Sequence, residues 1–133
     1  MSTRAEPAIK VILLPKDTNS LGTIFGGVIL AHIDLAATVE ARKTAPLRFV
    51  TRAMNAVEFR QPVYVGDIVS FYAETVRVGR SSVTVRVQVE ADRFCQGCDE
   101  RVRVTEAEVV LVAVDERGVK RAIREGVVAA DPA

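Results

Sequence analysis

Three groups in one short stretch could do chemistry: the Gly26-Gly27 pair, His32 and Asp34. From Gly26 to Val39 the polar side chains are His32, Asp34 and Thr38 alone. A carboxylate held in a mostly apolar cleft is a competent base. The glycines stand about two turns earlier on the same side, at the expected start of a helix. There the free backbone N–H groups and the positive dipole end point outward. Glycine lets a substrate approach that backbone closely, and a carbonyl oxygen placed there would be polarised as in an oxyanion hole. Together these groups suit acyl-transfer hydrolysis. The plainer reading is a carboxylate on a narrow polar stripe with Thr38, facing solvent or a subunit boundary, and glycines that serve tight packing.

His32 is the sole histidine. At about 100° per residue it points about 160° away from Asp34, so the two form no acid–base dyad along the helix. It shares a face with Val28, Ile29, Ala36 and Val39 and reads as a packed or interface histidine. Nucleophilic hydrolysis by a triad needs a base within reach of a Ser or Cys, and no such pairing stands out. Cys95-Gln96-Gly97-Cys98 falls on an expected hairpin tip and reads as a plain loop, with a shared metal or a disulfide as the alternatives. Zinc would need two more ligands, and the chain holds no other cysteine. No metal site is expected.

The elements that must position these residues follow from patterning. The chain has 133 residues, 49% hydrophobic and 26% charged, with a formal net charge of +1. That favours one globular domain over residues 1–133, with 1–7 and 125–133 flexible. Neither nucleic acid nor an anionic membrane is an expected partner. The run Val11–Leu14 is too short for a signal peptide and Pro15 ends it. The apolar part of the helix falls short of the roughly 20 residues that span a bilayer. A cytoplasmic protein is the default expectation.

Ala8–Leu14 reads as a first strand and Lys16–Thr23 as a loop of turn formers. A helix is expected from Phe25 to Thr44, stopped by Pro46. It is apolar nearly all round, so something must wrap it. Leu47–Arg60 alternates as a strand with one buried face. Ile68–Val78 is the next strand, Gly79-Arg80-Ser81 a hairpin connection, and Val83–Asp92 another strand. Phe94–Glu100 is the tip, and Val102–Val114 the last strand. Its phase slips midway, which predicts a bulge near Thr105. Short connections force antiparallel neighbours. The fold class is α+β: a curved antiparallel β-sheet wrapped around one long central α-helix.

Asp17-Thr18-Asn19, then Gly22-Thr23-Ile24-Phe25-Gly26-Gly27, then Asp34 resemble the hotdog-fold acyl-CoA thioesterases of the YciA and brain acyl-CoA hydrolase type. The likeness runs on through Phe59, Pro62-Val63, Gly66-Asp67 and Val78-Gly79-Arg80-Ser81 into Thr105–Asp115. It departs at Leu21, Thr23 and Asn55, where the family often carries other polar residues. The resemblance implies a hotdog fold, a homodimer with a continuous sheet, trimers of such dimers, and hydrolysis of acyl-CoA to free acid and CoA. It implies no cofactor, since coenzyme A is part of the substrate. Asp34 matches the family's catalytic carboxylate, as general base or nucleophile. Asn19 matches an asparagine that helps place water or substrate from the neighbouring subunit. Gly26 and Gly27 match the backbone that polarises the carbonyl. Gly79, Arg80 and Ser81 fall near the CoA moiety, and Phe25 and Thr38 beside the substrate. A non-catalytic acyl-CoA sensor and a dehydratase of the same fold are the rival readings. The dehydratase wants a histidine beside a carboxylate, and His32 points the wrong way.

Overall fold

A computed structural model describes residues 6–95 and 97–123. Most of the termini expected to be flexible, all of 125–133 among them, lie outside the described residues. The order is β1 (Ile9–Ile12), a single 3-10 turn (Pro15–Asp17), α1 (Gly26–Thr44), β2 (Arg48–Phe59), β3 (Ile68–Val78), β4 (Ser82–Cys95) and β5 (Cys98–Val114). All pairings are antiparallel, in the order β1-β3-β4-β5-β2. One long helix lies against this sheet, as the patterning demands.

The alternation of β4 supplies the core. Val83, Val85, Val87, Val89 and Ala91 are fully buried, and Ile29, Ile33, Ala36, Ala37 and Ala41 of α1 join them in one cluster with Phe71. Arg86, on the opposite face of β4, lies within ion-pair distance of Glu74, Glu106 and Glu108. The slip near Thr105 is real. Val89 pairs with Thr105 but Glu90 pairs with Arg103, which leaves Val104 as the extra residue of a bulge.

Two expectations need correction. First, β2 does not bury a clean face: it has no fully buried residue. It is an edge strand, broken by register shifts between Thr51 and Ala53 and between Asn55 and Glu58. Each inserted residue reverses the faces, so strict alternation is lost. Ala56 takes φ 56° at the second shift. Second, β4 and β5 run on to Cys95 and Cys98, so the tip is tighter than Phe94–Glu100, with Gly97 at φ 79°. The sheet wraps α1 from one side, as the fold class requires, and leaves the other side of the helix open. Gly27, Ala31, Leu35 and Val39 form an exposed stripe at i, i+4 spacing, with Leu35 56% exposed. No helix among the described residues is long and apolar enough to cross a membrane.

Candidate functional site

The approach to the helix is built on Asn19. Its backbone N–H donates to the Thr23 carbonyl at 2.8 Å. Its side-chain oxygen accepts the N–H groups of Leu21 (2.8 Å) and Thr23 (3.2 Å), and its amide donates to the Thr23 hydroxyl at 2.8 Å. One amide N–H stays outside these bonds. The base of the loop is closed by Asp17, whose carbonyl accepts the Phe25 N–H at 2.8 Å. The Asp17 carboxylate accepts the Leu14 N–H, and that bond, with Lys16 beside it, holds its pKa below the ordinary value. The loop thus fixes where α1 begins.

Phe25 is the extended N-cap of α1 and makes no side-chain cap. Val28 N–H turns back to the Phe25 carbonyl at 3.0 Å, while the N–H groups of Gly26 and Gly27 make no bond among the described residues. These two donors are the free end of the helix dipole. A Cβ on Gly27 would come within 2.8 Å of the exposed Phe25 ring, and one on Gly26 within 3.6 Å of Phe59. Gly27 therefore needs to be glycine for Phe25 to lie where it does.

Asp34 is half-buried and faces β2. The Thr51 hydroxyl donates to its Oδ1, and Thr38 donates to its backbone carbonyl at 2.9 Å. No other bond to the carboxylate occurs among the described residues, so Oδ2 is available to a water molecule. Thr51 escaped sequence reasoning because the shift beside it hides which face it takes. The signal was a hydroxyl on the strand that directly follows the helix.

His32 lies on the other side, as the helical geometry requires. Its Nδ1 is 2.9 Å from the Val28 carbonyl, and its ring stacks on Phe71 at 5.5 Å and 23°. It is a packed residue. Gly79, Arg80 and Ser81 form the β3–β4 connection, separated from β2 by β4 and β5. Arg80 is exposed, whereas Gly79 and Ser81 are buried, Ser81 to 2% exposure. The structure therefore brings Asp34, Thr38 and Thr51 together, sets Asn19, Phe25, Gly26 and Gly27 at the helix start, and leaves residues 79–81 apart from both. No group of three or more His, Cys, Asp or Glu residues placed to hold a metal occurs among the described residues.

A second cluster was not foreseen. Asp67, 2% exposed, takes the Arg93 guanidinium at 3.1–3.3 Å and the Tyr64 N–H at 2.9 Å. Arg93 also donates to the Pro62 carbonyl at 2.9 Å and lies over the Tyr64 ring. Tyr64 bridges to Thr23, so this pair braces the loop that carries Asn19. The hydrogen bonds that Arg93 donates to Asp67 raise the Arg93 pKa above its ordinary value.

The sequence profile of the Thioesterase superfamily matches residues 21–93. Acyl-CoA thioester hydrolase YciA of Escherichia coli is 34% identical over 116 residues, 86% of this chain and 88% of that protein. A hexameric hotdog fold thioesterase of Campylobacter jejuni superimposes with a TM-score of 0.88 at 45% identity, over 93% of this chain and 94% of that one. A hexameric broad specificity acyl-coenzyme A thioesterase, solved as a variant with an aspartate changed to alanine, gives a TM-score of 0.86 at 34% identity. That match covers 92% of this chain and 89% of the other.

Proposed function

The chain belongs to the thioesterase superfamily, and from that premise we propose that it hydrolyses acyl-CoA thioesters at a site shared between two copies of itself. The observation that carries the second part is a distance. Gly27 and Asp34 are seven residues apart on one helix, about 10 Å along its axis. Within one chain the N–H groups at the helix start and the carboxylate would have to reach a single thioester carbonyl across this span, through an intervening water.

A second copy solves this. Asp34 touches Thr51, while Gly26 lies beneath Phe59. A twofold axis passing near Ala31 on α1 and near Asn55 on β2 exchanges these two positions. It sets the Gly26-Gly27 backbone of one chain against Asp34 of the other. It also covers the stripe Gly27, Ala31, Leu35, Val39 and pairs the open β2 edges into one continuous sheet. An isologous dimer of this kind has two equal sites. The hexameric assembly of the structural neighbours supports a trimer of such dimers.

In this site the thioester carbonyl oxygen accepts N–H groups at the helix start. Asp34 Oδ2, with Oδ1 held by Thr51, takes a proton from water as the hydroxide adds to the carbonyl carbon. The oxyanion is stabilised by the backbone donors. The C–S bond then breaks, and the proton on Asp34 passes to the departing thiolate, giving a carboxylic acid and CoA. Asn19, with its spare N–H, holds the water or the substrate. Arg80 suits a phosphate of the CoA moiety.

The test is thiol release from a panel of acyl-CoAs, wild type against Asp34→Ala. Turnover falls by at least about 100-fold, the scale for a positioned base. Unchanged turnover in a folded Asp34→Ala variant removes the mechanism. Tight acyl-CoA binding without any thiol release from the wild type would instead make the protein a sensor. Direct attack by the carboxylate, with water then opening the anhydride at the Asp34 carboxyl carbon, would leave heavy oxygen in Asp34 after a single turnover in labelled water; the base mechanism leaves none.

A further inference from the structure

We propose that the groove beside the start of α1 is the acyl subsite, and that Phe59 sets the longest chain it takes. This rests on the thioesterase reading above. The groove has a volume of about 340 Å³ and is lined by Ile24, Gly26, Ile29, Phe59, Val63 and Val104, with the 60–62 turn at its rim. Gly26 is the link. The backbone that would hold the carbonyl oxygen is also a wall of the groove, so a chain leaving that carbonyl enters apolar space at once.

The floor is fixed. Ile24, Ile29, Val63 and Val104 are nearly or fully buried in the core. Val104 is the bulged residue of β5, and its carbonyl accepts the Arg60 N–H at 2.8 Å, which ties the rim to the floor. The Ile24 N–H donates to the Val63 carbonyl at 2.8 Å and closes the opposite side. The Arg60 guanidinium is drawn toward Glu58 at 3.2 Å and Glu106 at 3.9 Å on the strands beside it. Phe59 differs from the floor: it is half-exposed, and its ring lies over Gly26. It is the wall that can change without unpacking the core.

The groove lies at the small end of the roughly 300–1,000 Å³ typical of small-molecule pockets. At about 30 Å³ for each water-sized group it holds roughly ten heavy atoms. The inferred substrates are short to medium straight-chain acyl groups. Each added methylene that is buried strengthens binding by about fourfold, until the groove is full.

The experiment measures kcat/KM for straight-chain acyl-CoAs from two to sixteen carbons, as trial lengths, with wild type and Phe59→Ala. Inhibition by non-hydrolysable alkyl-CoA thioethers of the same lengths runs in parallel. In the wild type both series climb and then flatten at roughly eight to ten carbons. In Phe59→Ala, which loses six ring carbons, the break moves outward by two or more methylenes, less than the full ring because the site partly collapses. Active enzymes whose breaks coincide overturn the subsite while leaving hydrolysis standing. A wild-type series that climbs without a break to the longest chain overturns it as well. No thiol release from any thioester would remove the thioesterase reading, and the subsite with it.

Discussion

The proposed shared site makes an arithmetic prediction. Asp34→Ala removes the proposed base from a chain but leaves its Gly26-Gly27 backbone intact. Gly27→Val does the reverse. The added side chain shields the helix N–H groups and drives out the Phe25 ring, which already stands within 2.8 Å of the first carbon of such a side chain. Each variant alone is expected to lose about 100-fold or more of its turnover, through loss of the base or of an oxyanion donor. In a mixed dimer, the Gly27→Val chain supplies Asp34 and the Asp34→Ala chain supplies the glycines. One of the two sites is whole and the other carries both lesions. Random pairing of equal amounts makes half of the dimers mixed. The mixture should recover about one quarter of wild-type turnover. The assay is thiol release after co-unfolding and refolding the two variants, with each variant refolded alone as the control. A trimer of dimers gives the same fraction, because sites are counted within dimers. Recovery no greater than the sum of the two variants would refute the shared site. Asp34 and the glycines would then have to act within one chain, across the roughly 10 Å helical separation and through a bridging water.

Replacing Thr51 by Val keeps the shape of the side chain and removes the hydroxyl on Asp34 Oδ1. A bond to a charged group contributes about 1.5–3 kcal/mol, and the lower figure applies to this exposed pair, so kcat should drop roughly tenfold with a fall of a few degrees in the melting temperature, both read on one preparation. Asn19→Asp preserves the acceptor for the Leu21 and Thr23 N–H groups and lets the Thr23 hydroxyl donate in turn. Thermal melting should match the wild type while turnover falls about tenfold or more; equal turnover would reduce Asn19 to a loop brace. Arg93→Ala strands the Asp67 carboxylate in the interior. Breaking such a buried pair costs about 3 kcal/mol, which calorimetry would register as a loss of roughly 10 °C.

What could be read from the sequence was whatever local chemistry enforces. Pro46 ends the helix close to where expected, and Gly79-Arg80-Ser81 separates β3 from β4, because proline and glycine act on the backbone directly. The opposed directions of His32 and Asp34 followed from helical geometry alone. β2 was misjudged because its two register shifts cancel the period on which the reading depended. Thr51 was missed for the same reason. The Asp67–Arg93 pair joins residues 26 positions apart, and no local pattern announces a contact of that range. The open stripe along α1 was taken as a surface for the sheet to cover. Sequence periodicity cannot distinguish a face buried by the chain's own strands from one left for another molecule.

The stacked histidine has a practical use. His32 is the only imidazole in 133 residues, so a proton NMR spectrum holds one pair of ring signals to assign. Its ring lies 5.5 Å from that of Phe71, close enough for aromatic currents to displace those signals from their free values. The pair spans the contact between α1 and β3. Any loosening of the helix from the sheet, through substitution, heating or separation of subunits, would register as a shift in a single resolved resonance. This packed histidine is thereby a built-in gauge of how firmly α1 is seated on the sheet.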